Sequence, residues 1–185
     1  MRLIPTKLDG VVIIEPDVFV DHRGFFMESY SQKKFAELGL HFHFVQDNHS
    51  LSALPGVIRG LHYQNEPMAQ TKVVRVLSGA IFDVAVDIRA GSSTFGQWVG
   101  VILSADNKRQ LVVPKGFAHG ICTLVPDTQI MYKVDQFYSA EHDRGILWND
   151  PDIGIEWPVS NPILSDKDSN LPLLKHAYIH FCTGE

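Results

Sequence analysis

Short apolar runs separated by turn residues dominate the chain. They lie at residues 10–16, 57–63, 72–77, 80–88, 97–103, 110–113, 120–124 and 129–135. Runs of four to eight residues between turn signals are typical of β-strands. Many short strands at such spacing predict an all-β fold, either a sandwich or a barrel, with the jelly roll among the barrels. The period of the pattern alone does not choose between these architectures.

The run at residues 80–88 has the clearest alternation. Every second residue from Phe82 to Ile88 is apolar, whereas Asp83 and Asp87 fall on the other face. This period of two predicts a strand with one core face and one polar face. The preceding run ends at Ser78-Gly79, a dipeptide typical of turns, so we expect the two runs to form a hairpin.

Helical patterns are scarce. Ser31 can cap a short amphipathic turn, QKKFAEL, that ends before Gly39. A second stretch with helical spacing, LLKHAYIHF, follows Pro172. The sequence therefore predicts short helices near residues 31–39 and at the C-terminus.

Length and composition narrow the class of protein. The 185 residues, 45% hydrophobic and 20% charged, fit one globular domain over residues 1–185. A net charge of −5 argues against a partner that is a nucleic-acid polymer. The two cysteines, Cys122 and Cys182, fit a reducing compartment. No run approaches the ~20 apolar residues of a membrane span, and the start has no signal-peptide core, so we expect a cytoplasmic protein.

Two segments carry motif-like spacing. Residues 56–64 read GVIRGLHYQ and residues 114–119 read PKGFAH. They resemble the two motifs of the cupin family of antiparallel jelly-roll barrels. Metal-binding cupins normally have His-x-His followed by Glu in the first motif, but here Gln64 replaces the second His, and Met68 and Ala69 stand where Glu is expected. Because a stable site usually needs three protein ligands, we expect no metal despite the nine histidines.

Further segments narrow the resemblance. They are DHRGFFME at 21–28, QDNHS at 46–50, TKVVR at 71–75, YK at 132–133, YS at 138–139, WNDP at 148–151 and LSDKD at 164–168. In this order, from about residue 16 to 168, the chain resembles the dTDP-4-dehydrorhamnose 3,5-epimerase family. Ile121 and Asp143 depart mildly from its pattern, where Phe and Glu are usual.

The resemblance implies an isomerase that inverts C3 and C5 of dTDP-4-dehydro-6-deoxy-D-glucose, for the synthesis of dTDP-L-rhamnose and surface polysaccharide. It implies His62 as the base, Asp168 as the carboxylate that orients it, Lys72 at the C4 oxygen, and Tyr132 as the acid on the opposite face. These residue types suit the removal of a proton next to a carbonyl group, because imidazole titrates near neutral pH and a cation stabilises an enolate.

The resemblance also implies residues that bind the substrate and an assembly. The binding residues are Arg23, Glu28, Gln46, Asn48, Arg59, His119, Tyr138, Asp143 and Lys167. Arg23 is expected at the pyrophosphate and Tyr138 on the thymine. No cofactor is implied, and the partner is a dTDP-linked sugar. The assembly is a homodimer in which N-terminal strands are exchanged, with a C-terminal tail after about residue 170.

Other interpretations of these residues stay open. A strand histidine is more often a hydrogen-bonded core residue, and a lysine at a strand end is more often solvated. Strict alternation puts Arg59 and His62 on opposite faces, although Gly60 could allow a bulge that re-aims one of them. The rival functions are a mono-epimerase or ketoisomerase on the same nucleotide sugar, a non-catalytic sugar-nucleotide binder, and a metal-dependent cupin.

Overall fold

Antiparallel strands are the main regular elements of the computed structural model, which describes residues 1–181. In that range the strands are β1 (Arg2–Pro5), β2 (Val12–Glu15), β3 (Val18–Asp21), β4 (Gly24–Met27), β5 (Gln46–Ser52), β6 (Ile58–Gln64), β7 (Lys72–Ser78), β8 (Ala80–Asp87), β9 (Trp98–Ser104), β10 (Gln110–Val113), β11 (Phe117–Thr123), β12 (Thr128–Val134) and β13 (Asp143–Gly145). The predicted all-β class is confirmed.

Two sheets face each other around the main core. One has the order β1-β2-β10-β7-β12-β5, and the other has the order β13-β6-β11-β8-β9. Apolar side chains from both sheets meet between them, among them Val74 and Leu111 from the first sheet and Ala85 and Phe117 from the second. This arrangement is a jelly-roll barrel, in which the interior belongs to both sheets.

Each sheet is also covered on its outer face. The segment after β13 packs against the five-stranded sheet through Ile146, Leu174 and Phe181. The six-stranded sheet is covered by Phe35 and its neighbours. Strand β8 is consequently buried on both sides, and its predicted polar face, Asp83 and Asp87, is not exposed to solvent.

The predicted hairpin at Ser78-Gly79 is wrong. Strand β7 pairs with β10 and β12, whereas β8 pairs with β11 and β9 in the other sheet. Gly79 has a φ of +80°, and a Cβ there would lie 2.4 Å from the Thr128 hydroxyl oxygen. The dipeptide is therefore a tight corner at which the chain leaves one sheet and enters the other.

The helices are short. Helix α1 (Gln32–Glu37) begins at Ser31, whose hydroxyl accepts a hydrogen bond from the Lys34 backbone N–H, as predicted. A second helix, α2 (Asp166–Ser169), was not recognised in the sequence. The tail after Pro172 forms only a 3₁₀ turn, Leu174–His176, instead of the longer helix that its spacing indicates. Cys182 lies outside the described residues. No helix in residues 1–181 is long and apolar enough to cross a membrane.

Strands β3 and β4 pair only with each other. This two-stranded ribbon, residues 18–27, exposes 63% of Phe19 and 67% of Phe26. Val20 and Phe25 are exposed as well. Such a cluster of large apolar side chains on a monomer surface is typical of an interaction site.

Candidate active site

A cavity of about 700 Å³ opens between the two sheets. The five-stranded sheet contributes His62 and His119 to its wall, and the six-stranded sheet contributes Asn48, Lys72 and Tyr132. A molecule bound here would have imidazoles on one side and an ammonium and a phenol on the other.

His62 is paired with Asp168. The distance between His62 Nε2 and Asp168 Oδ1 is 2.6 Å. Asp168 lies in α2, where its backbone N–H donates to Ser165 Oγ. Burial alone would raise the pKa of Asp168, but hydrogen bonds from His62, Ser165 and the Gly60 backbone lower it below its usual value. The ionised carboxylate accepts the Nε2 proton, which leaves Nδ1 of neutral His62 as the free basic nitrogen.

A bulge in β6 brings Arg59 and His62 to the same cavity. His62 lies opposite His119 and Arg59 lies opposite Ile121, so three steps along β6 match two steps along β11. The extra residue shifts the alternation, and both side chains line the cavity. Gly60 has a φ of +137°, and a Cβ there would lie 2.6 Å from Gly120 Cα. Only glycine fits this backbone.

A second histidine that lines the cavity, His119, is also paired with a carboxylate. His119 Nε2 lies 2.7 Å from Asp83 Oδ1, and the Asp83 carboxylate is fully buried. Asp83 Oδ2 has no hydrogen-bond partner among residues 1–181. Asp83 is a site residue that the sequence analysis missed. Its one signal was the alternation in β8, which placed it on a polar face without indicating a partner.

The environment changes the acidity of two further groups. Burial lowers the pKa of Lys72 to about 8, although the charges of Asp143 and Asp83 act in the opposite direction. Burial raises the pKa of Tyr132, with Arg59 opposing and Asp143 reinforcing the rise. Near neutral pH, Lys72 is therefore a cation that loses its proton readily, and Tyr132 carries its phenolic proton.

Three polar residues form the rim of the site. Lys167 Nζ donates to Asp143 Oδ2 at 2.5 Å, and the Tyr138 hydroxyl donates to the same oxygen at 3.3 Å. Of the three, only Lys167 lines the cavity itself. Tyr138 is mostly exposed. We use the name rim cluster for Tyr138, Asp143 and Lys167.

Some predicted binding residues lie away from the cavity of their own chain. Arg23, in the β3–β4 ribbon, pairs with Asp21 at 2.6 Å, and Glu28 pairs with Lys34. Gln46 donates to Asn48 Oδ1 at 2.8 Å but does not itself line the cavity. One chain thus brings Asn48, Arg59, His119 and Lys167 to the cavity, and it leaves Arg23 and Glu28 elsewhere.

Gln64 stands where metal-binding cupins have their second histidine. Its amide nitrogen donates to the backbone oxygens of Met68 and Phe137, and its amide oxygen accepts from the Ser139 backbone N–H. Within residues 1–181, no group of three or more His, Cys, Asp or Glu side chains is placed to hold a metal ion.

The fold and the site define a class of protein. A jelly-roll cavity with an oriented imidazole base on one wall, and a cation and a protonated phenol on the other, is suited to moving protons beside a carbonyl group, the chemistry of a carbohydrate epimerase. A family model described as dTDP-4-dehydrorhamnose 3,5-epimerase matches residues 5–176. The chain belongs to this family, and its enzyme class is isomerase.

Individual relatives agree with this assignment. A Shigella flexneri protein named dTDP-4-dehydrorhamnose 3,5-epimerase is 60% identical over 171 residues, which cover 92% of this chain and 94% of the relative. The crystal structure of dTDP-6-deoxy-D-glucose-3,5-epimerase from Legionella pneumophila, in complex with dTDP-4-keto-L-rhamnose, is 50% identical with a TM-score of 0.91 and covers 95% of this chain and 93% of its own. A Streptomyces niveus protein, 36% identical over 178 residues (96% of this chain, 86% of the relative), is named dTDP-4-dehydrorhamnose 3-epimerase.

Proposed function

We propose that this enzyme inverts both C3 and C5 of dTDP-4-dehydro-6-deoxy-D-glucose and yields dTDP-4-dehydro-L-rhamnose. The observation that carries the proposal is the placement of His62 with Asp168 on one wall of the cavity and Tyr132 on the wall formed by the other sheet. Inversion at a carbon requires that a proton leave from one face and return to the other, and this arrangement supplies a group for each face.

Each inversion proceeds through an enolate. Nδ1 of His62 takes the proton from the carbon next to the C4 carbonyl, and the C–H electron pair moves to form a C=C bond as the carbonyl electrons shift to O4. Lys72 faces O4 and stabilises its negative charge, as does His119, which Asp83 orients. Tyr132 then gives its proton to the opposite face of the carbon, the C4 carbonyl re-forms, and solvent restores both protein groups.

The nucleotide is held by cations at the cavity mouth. Arg59 and Lys167 line the cavity and suit phosphate oxygens, and Asn48 offers an amide to the nucleoside. Tyr138 stacks on thymine, with Asp143 holding its hydroxyl. Gln46 acts through its hydrogen bond to Asn48. The expected setting is the cytoplasm, where nucleotide sugars are made.

The enzyme works as a homodimer in this proposal. The exposed apolar side chains of the β3–β4 ribbon support it, because a partner subunit would bury them. Arg23 is carried by this ribbon and is absent from the cavity of its own chain. The ribbon therefore delivers Arg23, together with the adjacent Glu28, to the site of the neighbouring subunit.

A single-carbon epimerase is the alternative, and the Streptomyces niveus relative gives it support. The experiment that separates the two is incubation of the ketosugar nucleotide with enzyme in heavy water, followed by proton NMR of C3 and C5. We expect deuterium at both carbons. Deuterium at one carbon only would support the mono-epimerase, and no deuterium would support a non-catalytic binder.

The same assay tests the assignment of His62. His62→Ala should retain dTDP binding and lose isotope exchange at both carbons by about 10²- to 10⁴-fold, the usual contribution of a general base. Full exchange in this variant would remove His62 from its proposed role.

A further inference from the structure

Gln64 ties the catalytic strand to the loop that carries Tyr138. The side chain of Gln64 is 5% exposed and lies two residues after His62 on β6. Its oxygen accepts from Ser139 N–H at 2.7 Å and its nitrogen donates to Phe137 O at 3.1 Å. These two backbone groups flank Tyr138 on either side, so one amide fixes the chain immediately before and after it.

The contacts extend from Ser139 to the rest of the rim cluster. The Ser139 carbonyl accepts from the Asp143 backbone N–H at 2.9 Å, and Asp143 lies opposite Gln64 in the pairing of β13 with β6. Asp143 in turn accepts from both Tyr138 and Lys167. The backbone at Gln64 and the side chain at Gln64 therefore hold the same short loop.

Only a primary amide satisfies all of these groups at once. The Gln64 nitrogen donates to two carbonyls, those of Met68 and Phe137, while its oxygen accepts from a backbone N–H. A carboxylate would place an acceptor against two carbonyl oxygens, and a neutral imidazole has one donor and one acceptor. A buried backbone group that loses its partner is costly, so a substitution here would release the loop.

We propose that Gln64 is a positioning residue for nucleotide recognition: at the sequence position where metal-binding cupins have a histidine ligand, this chain has an amide that holds the loop carrying Tyr138 at the mouth of the cavity. The proposal rests on the proposed function, because it takes the ligand of Tyr138 to be the thymine base. Gln64 acts on the affinity for the dTDP part of the substrate, and the proton transfers at His62 and Tyr132 do not depend on it.

The test compares Gln64→Glu and Gln64→Met with wild type in two measurements, dTDP affinity by calorimetry and steady-state kinetics with the ketosugar nucleotide. Stacking of a base on an aromatic side chain is worth roughly 5- to 150-fold in affinity. We expect dTDP affinity to fall and KM to rise by roughly tenfold, with kcat changed less than about threefold, as for lost binding that is equal in the ground and transition states. Gln64→Met gives the answer if Gln64→Glu fails to fold.

A double-mutant cycle excludes a general structural effect. In a Tyr138→Ala background, Gln64→Glu should change dTDP affinity by less than about twofold, because the side chain that it positions is already absent. Gln97→Glu, which alters an exposed glutamine that does not line the cavity, should leave both measurements unchanged. Equal effects of Gln64→Glu with and without Tyr138, or a fall in kcat alone, would overturn the proposal. A wild-type enzyme that binds dTDP but exchanges no deuterium would instead overturn the proposed function. The double-mutant cycle on dTDP affinity could still be interpreted in that case.

Discussion

At the scale of single residues, Lys72 is strongly affected by its surroundings. Burial lowers the pKa of its ammonium from 10.5 to about 8. Only the protonated form stabilises the enolate oxygen, and that form is present below pH 8 and lost above it. We therefore expect kcat/KM, which reports the free enzyme, to decrease as the pH rises through about 8.

Two variants check this assignment. Lys72→Arg retains a cation, because a guanidinium stays protonated throughout this pH range, so the decrease near pH 8 should disappear while some activity remains. Lys72→Met should lose about 10²- to 10³-fold in kcat below pH 8, where the wild-type lysine is charged, as for the removal of one group that stabilises an oxyanion. A decrease near pH 8 that persists in Lys72→Arg would show that another group titrates there.

The sequence predicts the residue types of the site better than their partners. His62, Lys72 and Tyr132 lie in segments with recognisable spacing, and all three line the cavity. The carboxylate of Asp83 and the amide of Gln64 were not interpreted, because their roles depend on groups 36 and 75 residues away in the chain, His119 and Ser139. Spacing along a strand carries no information about such contacts.

At the scale of elements, local pattern predicted strands but not their pairing. The runs at β7 and β8 were recognised, yet the turn between them is a corner between two sheets. Five strands were not recognised: β5, with sequence QDNHSLS, is mostly polar, and β1, β3, β4 and β13 have only three or four residues each. Polar residues occur in β5 because Asn48 and Ser52 face the cavity and not an apolar core.

The bulge in β6 offers a prediction at this scale. Gly60→Ala should lower the free energy of unfolding by about 3 kcal/mol or more, because a Cβ at this position would collide with Gly120 and the backbone is in the left-handed region. Gly39→Ala is the matched control, since its φ is +81° but nothing lies within 4 Å of its Cβ position. Gly39→Ala should lower the free energy of unfolding by only about 1–2 kcal/mol.

Urea unfolding of both variants measures the difference. Equal losses of unfolding free energy in the two variants would contradict this expectation. They would mean that β6 and β11 move apart at Gly60 without an energetic cost. Folded Gly60→Ala protein should also lose isotope exchange, because the substitution disturbs the shift that brings Arg59 and His62 to one cavity.

At the scale of the whole molecule, the position of Arg23 in the β3–β4 ribbon leads to a prediction. In the proposed homodimer, each subunit should complete the active site of the other. His62→Ala and Arg23→Ala should each be poorly active as homodimers. Mixed by unfolding and refolding together, they should recover about a quarter of wild-type activity, because half of the dimers are mixed and each mixed dimer has one complete site. Rate measurements on the mixture at several ratios check this expectation.

The outcome depends on where Arg23 acts. If Arg23 served the cavity of its own chain, every mixed dimer would contain one site without Arg23 and one without His62, and no activity would return. A mixture of His62→Ala with Tyr132→Phe is the control that should stay inactive, because both residues line the cavity of a single chain.

The pairing of His62 with Asp168 also bears on how the protein is made. The two residues are 106 positions apart, and the base is oriented only when the second has reached the first. A ribosome-bound chain that ends before α2 would contain every strand of both sheets and still lack an oriented base. Enzymatic turnover during translation would thus begin only after α2 has been made and has reached His62.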